Sequence, residues 1–588
     1  MEENKFVDKF VDLLFAKNNI KYLIILFLIA FILRGITANN LPPNADEMLH
    51  APHAINFINS GKLQIMDQDP VWFFLTDLSY KIFGVNMFAA RFLAVLFGAL
   101  SILLIYLIVK ELYNENLALI SSVLLTFSSF HILMSLAEMD VAMMFFVLLS
   151  MFFLVKFLKE NKNSYLIFCY IFLGIAILIK QIAITFIPAF IIYFVYKRSK
   201  DKRIITFKQI LTFALLMFII SLPVLTFNYL LYKDKGLVDL QFSRFLGIAK
   251  ETYAPIENTL KDFKLKDVFF SYEGHKPGFI EGISFFYNFD KLIFIFGILG
   301  FIIALLTKKE NLLLWLLVFL FPFLFLAGTS ILEYHFIFGM PVLAFFGAIF
   351  IEFLSEKISK LNIKKNMVIS ILLLIVIIFN ISYVSARGIF QKSEITKMMS
   401  YSKDNIDKDS LVIVDSRVYR GRIAWTFNDK HYLEASYFNN LLNQINNLPG
   451  NQKTIKTYFV ECEADDCGWG TISSQPEFNT SMEQIAGVFK KSSIKLATIT
   501  NRENEPYFSI YSGDISLKDS VLSLADSTHE WFYYPIRYKK ESFDDYKTKN
   551  LFDNLLNLLA HFILYLEALI ALFSIIFTFY ILVKNEQK

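Results

Sequence analysis

Repeated apolar runs, basic connections between them and one long block of different texture predict a mainly α protein. The expected fold is a polytopic transmembrane helical bundle of about twelve spans with a small extracytoplasmic α/β domain. Of the 588 residues, 55% are hydrophobic and 65 are Phe, and the mean hydropathy is +0.49. A single soluble core stops growing at roughly 250–300 residues, so a soluble fold of this length has no use for so much apolar surface. The net charge of +4 is too small to argue for an acidic partner, and no nucleic acid is implied. Three cysteines, Cys169, Cys462 and Cys467, are too few for a disulfide framework.

Apolar stretches fall at 22–38, 90–109, 116–135, 140–157, 165–182, 184–196, 207–231, 287–306, 312–329, 336–354, 367–385 and 555–583. Most approach the ~20 residues needed to cross a bilayer. No small-residue cleavage site follows the first run, which reads as a retained span rather than a signal peptide. With a cytoplasmic N-terminus, every inside connection is basic, from Lys110, Lys159 and Lys162 through the Lys197–Arg203 cluster to Lys308, Lys357 and Lys365. The tail with Lys584 and Lys588 is then cytoplasmic too. Spans and charges thus support one orientation of a multi-pass cell-membrane protein. Length accumulates on the other face. The expected organisation is a membrane module 1–385 with long outer loops 39–89 and 232–286, an extracytoplasmic domain 386–554, and a final span and tail 555–588.

Within 386–554, Leu411–Asp415 reads as a buried strand, followed by a helical stretch and a second strand at His431–Ala435. Residues 437–447 read as helix, Thr457–Val460 as strand and Tyr507–Tyr511 as an edge strand. Alternating strand and helix signals predict a small α/β domain.

The stretch Pro42–His53 holds two adjacent carboxylates, Asp46 and Glu47, and two histidines, His50 and His53, just beyond the first span. Asn44 followed three residues later by Glu47 is a capping-box pattern. Pro52 fits poorly inside a continuous helix, so a turn at 45–51 and a new helix starting at Pro52 and ending near Gly61 are expected. Asp46 and His50 then share a face, and a carboxylate at a helix start stays ionised, as a general base must.

Further along the same face lie other polar groups. Asp67-Gln68-Asp69 offers hard oxygen ligands for a divalent metal, or simply solvated loop carboxylates. Glu138 and Asp140 sit between the third and fourth spans, and a charge opening a span is expensive and usually functional. Lys180 ends the fifth span, either snorkelling to the interface or meeting a phosphate. Glu333-Tyr334-His335 precedes the tenth span; its tyrosine is either an interfacial belt residue or a binding group. Cys462 and Cys467 can form a local disulfide in an oxidising compartment, and Asn479-Thr480-Ser481 is a glycosylation sequon.

The order of these landmarks resembles the GT-C superfamily of polytopic glycosyltransferases. They are Asp46-Glu47 after span one, Phe83–Arg91 later in the same loop, Glu138 and Asp140 after span three, Gly174-Ile175-Ala176 and Lys180 in span five, and Tyr334-His335 before Pro341. The nearest types are the protein O-mannosyltransferases and lipid A aminoarabinose transferases, over roughly residues 20–350. The resemblance implies a polyprenyl-phosphate-linked sugar donor and a lipid, glycan or protein hydroxyl acceptor on the extracytoplasmic face. It implies catalytic roles for Asp46, with Glu47 beside it, and Asp140. Donor-phosphate contacts are then expected from Lys180, Tyr334 and His335; His50, His53 and Glu138 are further substrate-binding candidates by their place on the same face, the two histidines lying outside the family pattern. No cofactor is required, because a monophosphate leaving group needs less help than a diphosphate; a metal at Asp67 and Asp69 is possible but not favoured. Departures are Asp69-Pro70-Val71 where many relatives carry a basic-Pro-Pro segment, and an outer domain unlike the mannosyltransferase β-trefoil. Readings of another class are a transporter or flippase for a lipid-linked sugar, which needs polar groups at mid-membrane, and a catalytically inactive relative.

Overall fold

The computed structural model describes residues 19–44, 46–65, 68–136, 138–200, 206–248, 265–270, 276–308, 311–329, 332–444, 448–464, 467, 485–487, 489, 491, 493–527 and 546–586. Among them, eight helices are long and apolar enough to cross a membrane: Ile20–Asn40, Met87–Leu112, Asp140–Glu160, Gln181–Lys200, Leu312–Thr329, Glu333–Ser359, Lys365–Ala386 and Leu551–Glu586. Two bent pairs, Phe207–Ile220 with Leu222–Lys235 at 54° and Gly278–Phe289 with Lys291–Leu306 at 119°, bring this to ten if each pair is one span. The expected spans at 116–135 and 165–182 fall on the shorter apolar helices Glu115–Thr126 and Asn163–Ile179, so the count of twelve is not reached by length and composition.

Both short helices stop for visible reasons. Glu115–Thr126 ends before Ser128, whose side chain caps the next turn by accepting from the His131 N–H. The carbonyls released at Leu125 and Thr126 accept from the buried Arg34 guanidinium at 3.1 and 3.3 Å, and that of Phe127 accepts from Asn380 at 3.0 Å. Interior carbonyls in an apolar medium need such partners. Asn163–Ile179 ends at Lys180, whose backbone is extended (φ −153°), and a 3-10 turn Gln181–Thr185 follows.

Met87–Leu112 and Asp140–Glu160 are buried along almost their whole length and form the centre of the bundle. The last helix shows the membrane pattern. Its Leu558, Phe562, Leu569, Phe573 and Ile576 face outward, while Ala560, Ala568, Ala571, Ser574 and Thr578 face the bundle. Small residues at helix contacts are the means of close packing where no hydrophobic force draws helices together. Gly300 shows the limit: a Cβ there would lie 1.7 Å from the Phe346 carbonyl oxygen.

The 386–554 segment contains one five-stranded mixed sheet, β1 Leu411–Val414, β2 His431–Glu434, β3 Gln452–Cys462, β4 Ile494–Thr500 and β5 Pro506–Lys518, in the order β2-β1-β3-β5-β4. β1 is parallel to β2 and β3, Val412 standing opposite both Tyr432 and Tyr458; β3–β5 and β5–β4 are antiparallel. The strand expected at Tyr507–Tyr511 is therefore longer and interior, because β4, absent from the sequence reading, covers its edge. Strand side chains alternate between faces. Leu411, Ile413 and Phe459 build a separate core, whereas Val412, Val414 and Tyr458 join the core continuous with the bundle. The domain also grips the end of the first span. Arg502 donates to the Asn40 carbonyl at 2.6 Å and Thr396 to that of Asn39 at 2.9 Å. Cys462 and Cys467 are disulfide-bonded, with Cα atoms 6.1 Å apart.

Candidate active site

The loop after the first span is held before any chemistry is considered. Asn44 Oδ1 accepts from the Glu47 N–H at 2.8 Å, and Glu47 Oε2 accepts from the Asn44 N–H at 2.9 Å, the reciprocal bonds of a capping box. Glu47 also receives Arg91 through both ends of the guanidinium, Nε to Oε1 at 2.6 Å and Nη2 to Oε2 at 2.7 Å. Arg91 spends its other protons on the carbonyls of Ala38, Leu41 and Pro42. Both side chains are wholly buried. Glu47 is thus the anchor of the loop, and the bidentate fork fixes its direction.

A helix follows at Glu47–His53, with Pro52 in its last turn rather than at the start of a second helix. The turn at 45–51 expected from Pro52 is corrected accordingly. The proline is tolerated because the helix ends one residue later, so only one ladder bond is forfeited. A separate four-residue helix, Phe57–Ser60, leads to Gly61. Tyr80 donates to the Ala51 carbonyl at 3.0 Å, and Asp77 accepts from the Ile58 N–H at 2.8 Å. The helix Pro70–Phe83 thereby fixes the far end of the loop.

Asp46 and its neighbours converge at one end of the bundle. The Tyr334 hydroxyl donates to Asp46 Oδ2. Lys180 Nζ lies 2.6 Å from Asp140 Oδ2 and 3.1 Å from His335 Nδ1, and that nitrogen is 3.3 Å from each Asp140 oxygen. The same ammonium sits 5.8 Å from the Tyr334 ring centre. Glu138 is buried with one oxygen 3.5 Å from His50 Nδ1. None of these side chains except His50 projects from the interior of an α-helix. Asp46 and Glu138 occupy turns, Asp140 is a first helical residue, Lys180 is a break, and Tyr334 and His335 lie on a 3-10 turn, Glu333–Phe338.

Charge follows this geometry. Burial pushes the Asp46 carboxyl up, but His50, the Tyr334 hydroxyl, Lys180 and His335 outweigh it and hold it below its ordinary value. Burial lowers His50, and Glu138 and Asp46 more than reverse it, so the imidazole holds its proton to higher pH than usual. Glu138 is raised to about 7, burial being the larger influence and His50 the opposing one. Asp46 is thus an ionised acceptor of protons beside a pair, His50 and Glu138, that retains them.

Of the residues singled out in the sequence, Asp46, Glu47, His50, Glu138, Asp140, Lys180, Tyr334 and His335 come together. His53 is buried at the end of its helix. Asp69 stands apart as the buried residue preceding helix Pro70–Phe83. Asp67 and the sequon at 479–481 lie outside the described residues. Among the described residues, no three His, Cys, Asp or Glu side chains converge as metal ligands. The sequence reading missed the role of Arg91, whose partner Glu47 lies 44 residues away in the chain. A charged residue in the opening turns of an apolar span was the available signal.

Residues 67–227 match the family model of dolichyl-phosphate-mannose-protein mannosyltransferases. An uncharacterized protein of Aquifex aeolicus (strain VF5) is 26% identical over 196 residues, 33% of this chain and 39% of that protein. YkcB of Bacillus subtilis (strain 168), whose name proposes a mannosyltransferase, is 25% identical over 131 residues, 22% of this chain and 18% of its own. The matches therefore span well under half of either relative. Among solved structures, ArnT of Cupriavidus metallidurans bound to undecaprenyl phosphate aligns with a TM-score of 0.54 at 10% identity, covering 84% of this chain and 98% of ArnT. The apo oligosaccharyltransferase of Archaeoglobus fulgidus aligns with a TM-score of 0.50 at 12% identity, covering 82% and 79%. The fold is that of the GT-C glycosyltransferases. Over 67–227 the chain carries the sequence pattern of the mannosyltransferase family within that fold, and it is a multi-pass membrane protein.

Proposed function

We propose that this chain transfers a sugar from a polyprenyl-phosphate donor to a hydroxyl acceptor at the extracytoplasmic membrane surface, with Asp46 as the general base. The observation that carries the reading is the meeting of an ionised carboxylate, Asp46, with a Tyr–His–Lys group from spans far away in sequence. Asp46 takes the acceptor hydroxyl proton as its oxygen attacks the anomeric carbon. The bond from that carbon to the phosphate oxygen breaks, and the lipid phosphate leaves with the electron pair. Lys180 supplies positive charge and His335 a hydrogen-bonding ring where that charge develops. Asp140 holds both in place from a buried position, so its part is to position the cation. Glu47 positions Asp46 through Arg91.

The test is transfer from labelled polyprenyl-phosphate sugars in membranes holding wild type or Asp46→Asn. A general base contributes roughly 10²- to 10⁴-fold, so the variant should lose measurable transfer while remaining folded in the membrane. Undiminished transfer by Asp46→Asn would sink the mechanism. The likeness to ArnT bound to undecaprenyl phosphate makes that carrier the first donor to try.

A further inference from the structure

The helix carrying the Asp46 loop touches the α/β domain at one backbone point. Gly421 opens onto the Met48 carbonyl oxygen so closely that a Cβ there would lie 2.0 Å from it. Gly421 is not among the residues with left-handed backbone, so close approach alone requires the glycine. Met48 is two residues from Asp46. Its carbonyl is the one that Pro52, four residues on, cannot serve, because proline has no N–H. Beside it, Arg422 Nε lies 3.2 Å from Met48 Sδ, and Arg422 Nη1 donates to the Cys467 carbonyl and the Tyr507 hydroxyl at 3.2 and 3.3 Å. Tyr419 is buried against Met48 and Leu49. One face of the Glu47–His53 helix thus rests on helix Arg420–Thr426, which is tied to β5 and the disulfide loop.

We propose that the α/β domain sets the pose of Asp46, with Gly421 and Arg422 as positioning residues. Arg91 and Tyr80 hold the two ends of the loop from the bundle side; the domain supplies the third support, on the face they leave open. A side chain at 421 meets backbone, which cannot swing aside, so the helix must shift. A displacement near 1 Å costs on the order of 100-fold in a reaction that depends on alignment. The activity consequence rests on the glycosyltransferase reading, whereas the displacement does not.

The full-length protein, purified in detergent, is compared as wild type, Gly421→Ala, Gly421→Val, Arg422→Lys and Arg422→Ala by hydrogen–deuterium exchange and by sugar transfer. Exchange in peptides covering 44–56 should quicken in the order wild type, Gly421→Ala, Gly421→Val, with peptides of the central span 87–112 unchanged. Arg422→Ala should do the same, and Arg422→Lys less. In the same samples kcat should fall about 100-fold for Gly421→Val, with donor KM within about threefold. Unchanged exchange at 44–56 in Gly421→Val overturns the proposal. So does faster exchange there with full transfer activity. Absence of transfer from wild type with every donor would instead count against the glycosyltransferase reading, and the exchange order still decides whether the domain holds the loop.

Discussion

The Tyr334 hydroxyl donates a hydrogen bond to the Asp46 carboxylate across 288 residues of sequence. The tyrosine reaches it from the 3-10 turn Glu333–Phe338, which directly precedes the next α-helix. Removing the hydroxyl removes one stabilising contact to the ionised carboxylate. The bond orients the carboxylate, and loss of alignment costs on the order of 100-fold, so Tyr334→Phe should lower kcat by about 10- to 100-fold. Transfer assays at saturating donor check this, and an unaltered kcat would remove Tyr334 from the mechanism.

Glu47 and Asp46 are neighbours that should fail differently. Glu47→Gln leaves the buried Arg91 guanidinium without its carboxylate, and breaking a buried pair costs about 3–5 kcal/mol. The expected result is a lower melting temperature and less protein in the membrane. Asp46→Asn should keep both and lose transfer. A thermal shift assay on both variants separates the roles, and equal melting temperatures for wild type and Glu47→Gln would contradict the anchor.

Lys180, part-buried, and Asp140, buried, form an ion pair at 2.6 Å, so their substitutions should not be additive. Either Asp140→Asn or Lys180→Met strands one charge in an apolar setting. The double variant strands none. The coupling energy from a double-mutant cycle should be on the order of 3 kcal/mol, with the double variant better folded than either single one and equally inactive. Additive stabilities would show that the pair is not formed.

Glu138 should give the stability a dependence on pH. Its ordinary value of 4.5 is raised to about 7, so between those limits the folded protein holds a proton that the unfolded chain has released. Its contribution is therefore fully present below 4.5 and is lost as pH rises through about 7. His50 is also raised and acts in the same direction, its contribution being lost as pH rises above its ordinary 6.5. Asp46 runs the other way, its contribution being present above 3.8 and lost as pH falls below that value. The melting temperature of wild type relative to Glu138→Gln should fall from pH 4.5 to 7 and then level off. A difference that does not vary with pH would reject this assignment.

Much of the site's local architecture was legible, for a reason that also limits the reading. The Asn44–Glu47 capping box is a three-residue relation, and such relations are printed in sequence. So is the continuous apolar run of β1. What holds the loop in place is not local: Arg91 lies 44 residues from Glu47, and Gly421 reaches Met48 from another domain. Neither residue type announces its partner. The expected third and fifth spans are shorter for a related reason. Hydropathy counts apolar side chains, but Glu115–Thr126 ends where Arg34 and Asn380 arrive to satisfy its carbonyls, and Asn163–Ile179 ends where Lys180 turns to Asp140. Pro52 misled for the opposite cause, since a local rule about helix interiors was applied to a helix that stops one residue later.

The wide sequence separation within this site also has a meaning in time. Asp140 precedes Lys180 by 40 residues and Asp46 precedes Tyr334 by 288. At about 5–20 residues per second, synthesis leaves Asp140 without its lysine for roughly 2–8 s and Asp46 without its tyrosine for roughly 14–58 s. The acids enter the growing protein first and their counterparts arrive later. An uncompensated charge at a membrane helix is costly, so until Lys180 is made the helix that Asp140 opens is a poorer membrane segment than in the finished protein. Between positions 140 and 180 the acid that opens a membrane helix lacks its cation, so ribosome pausing there lengthens a costly interval.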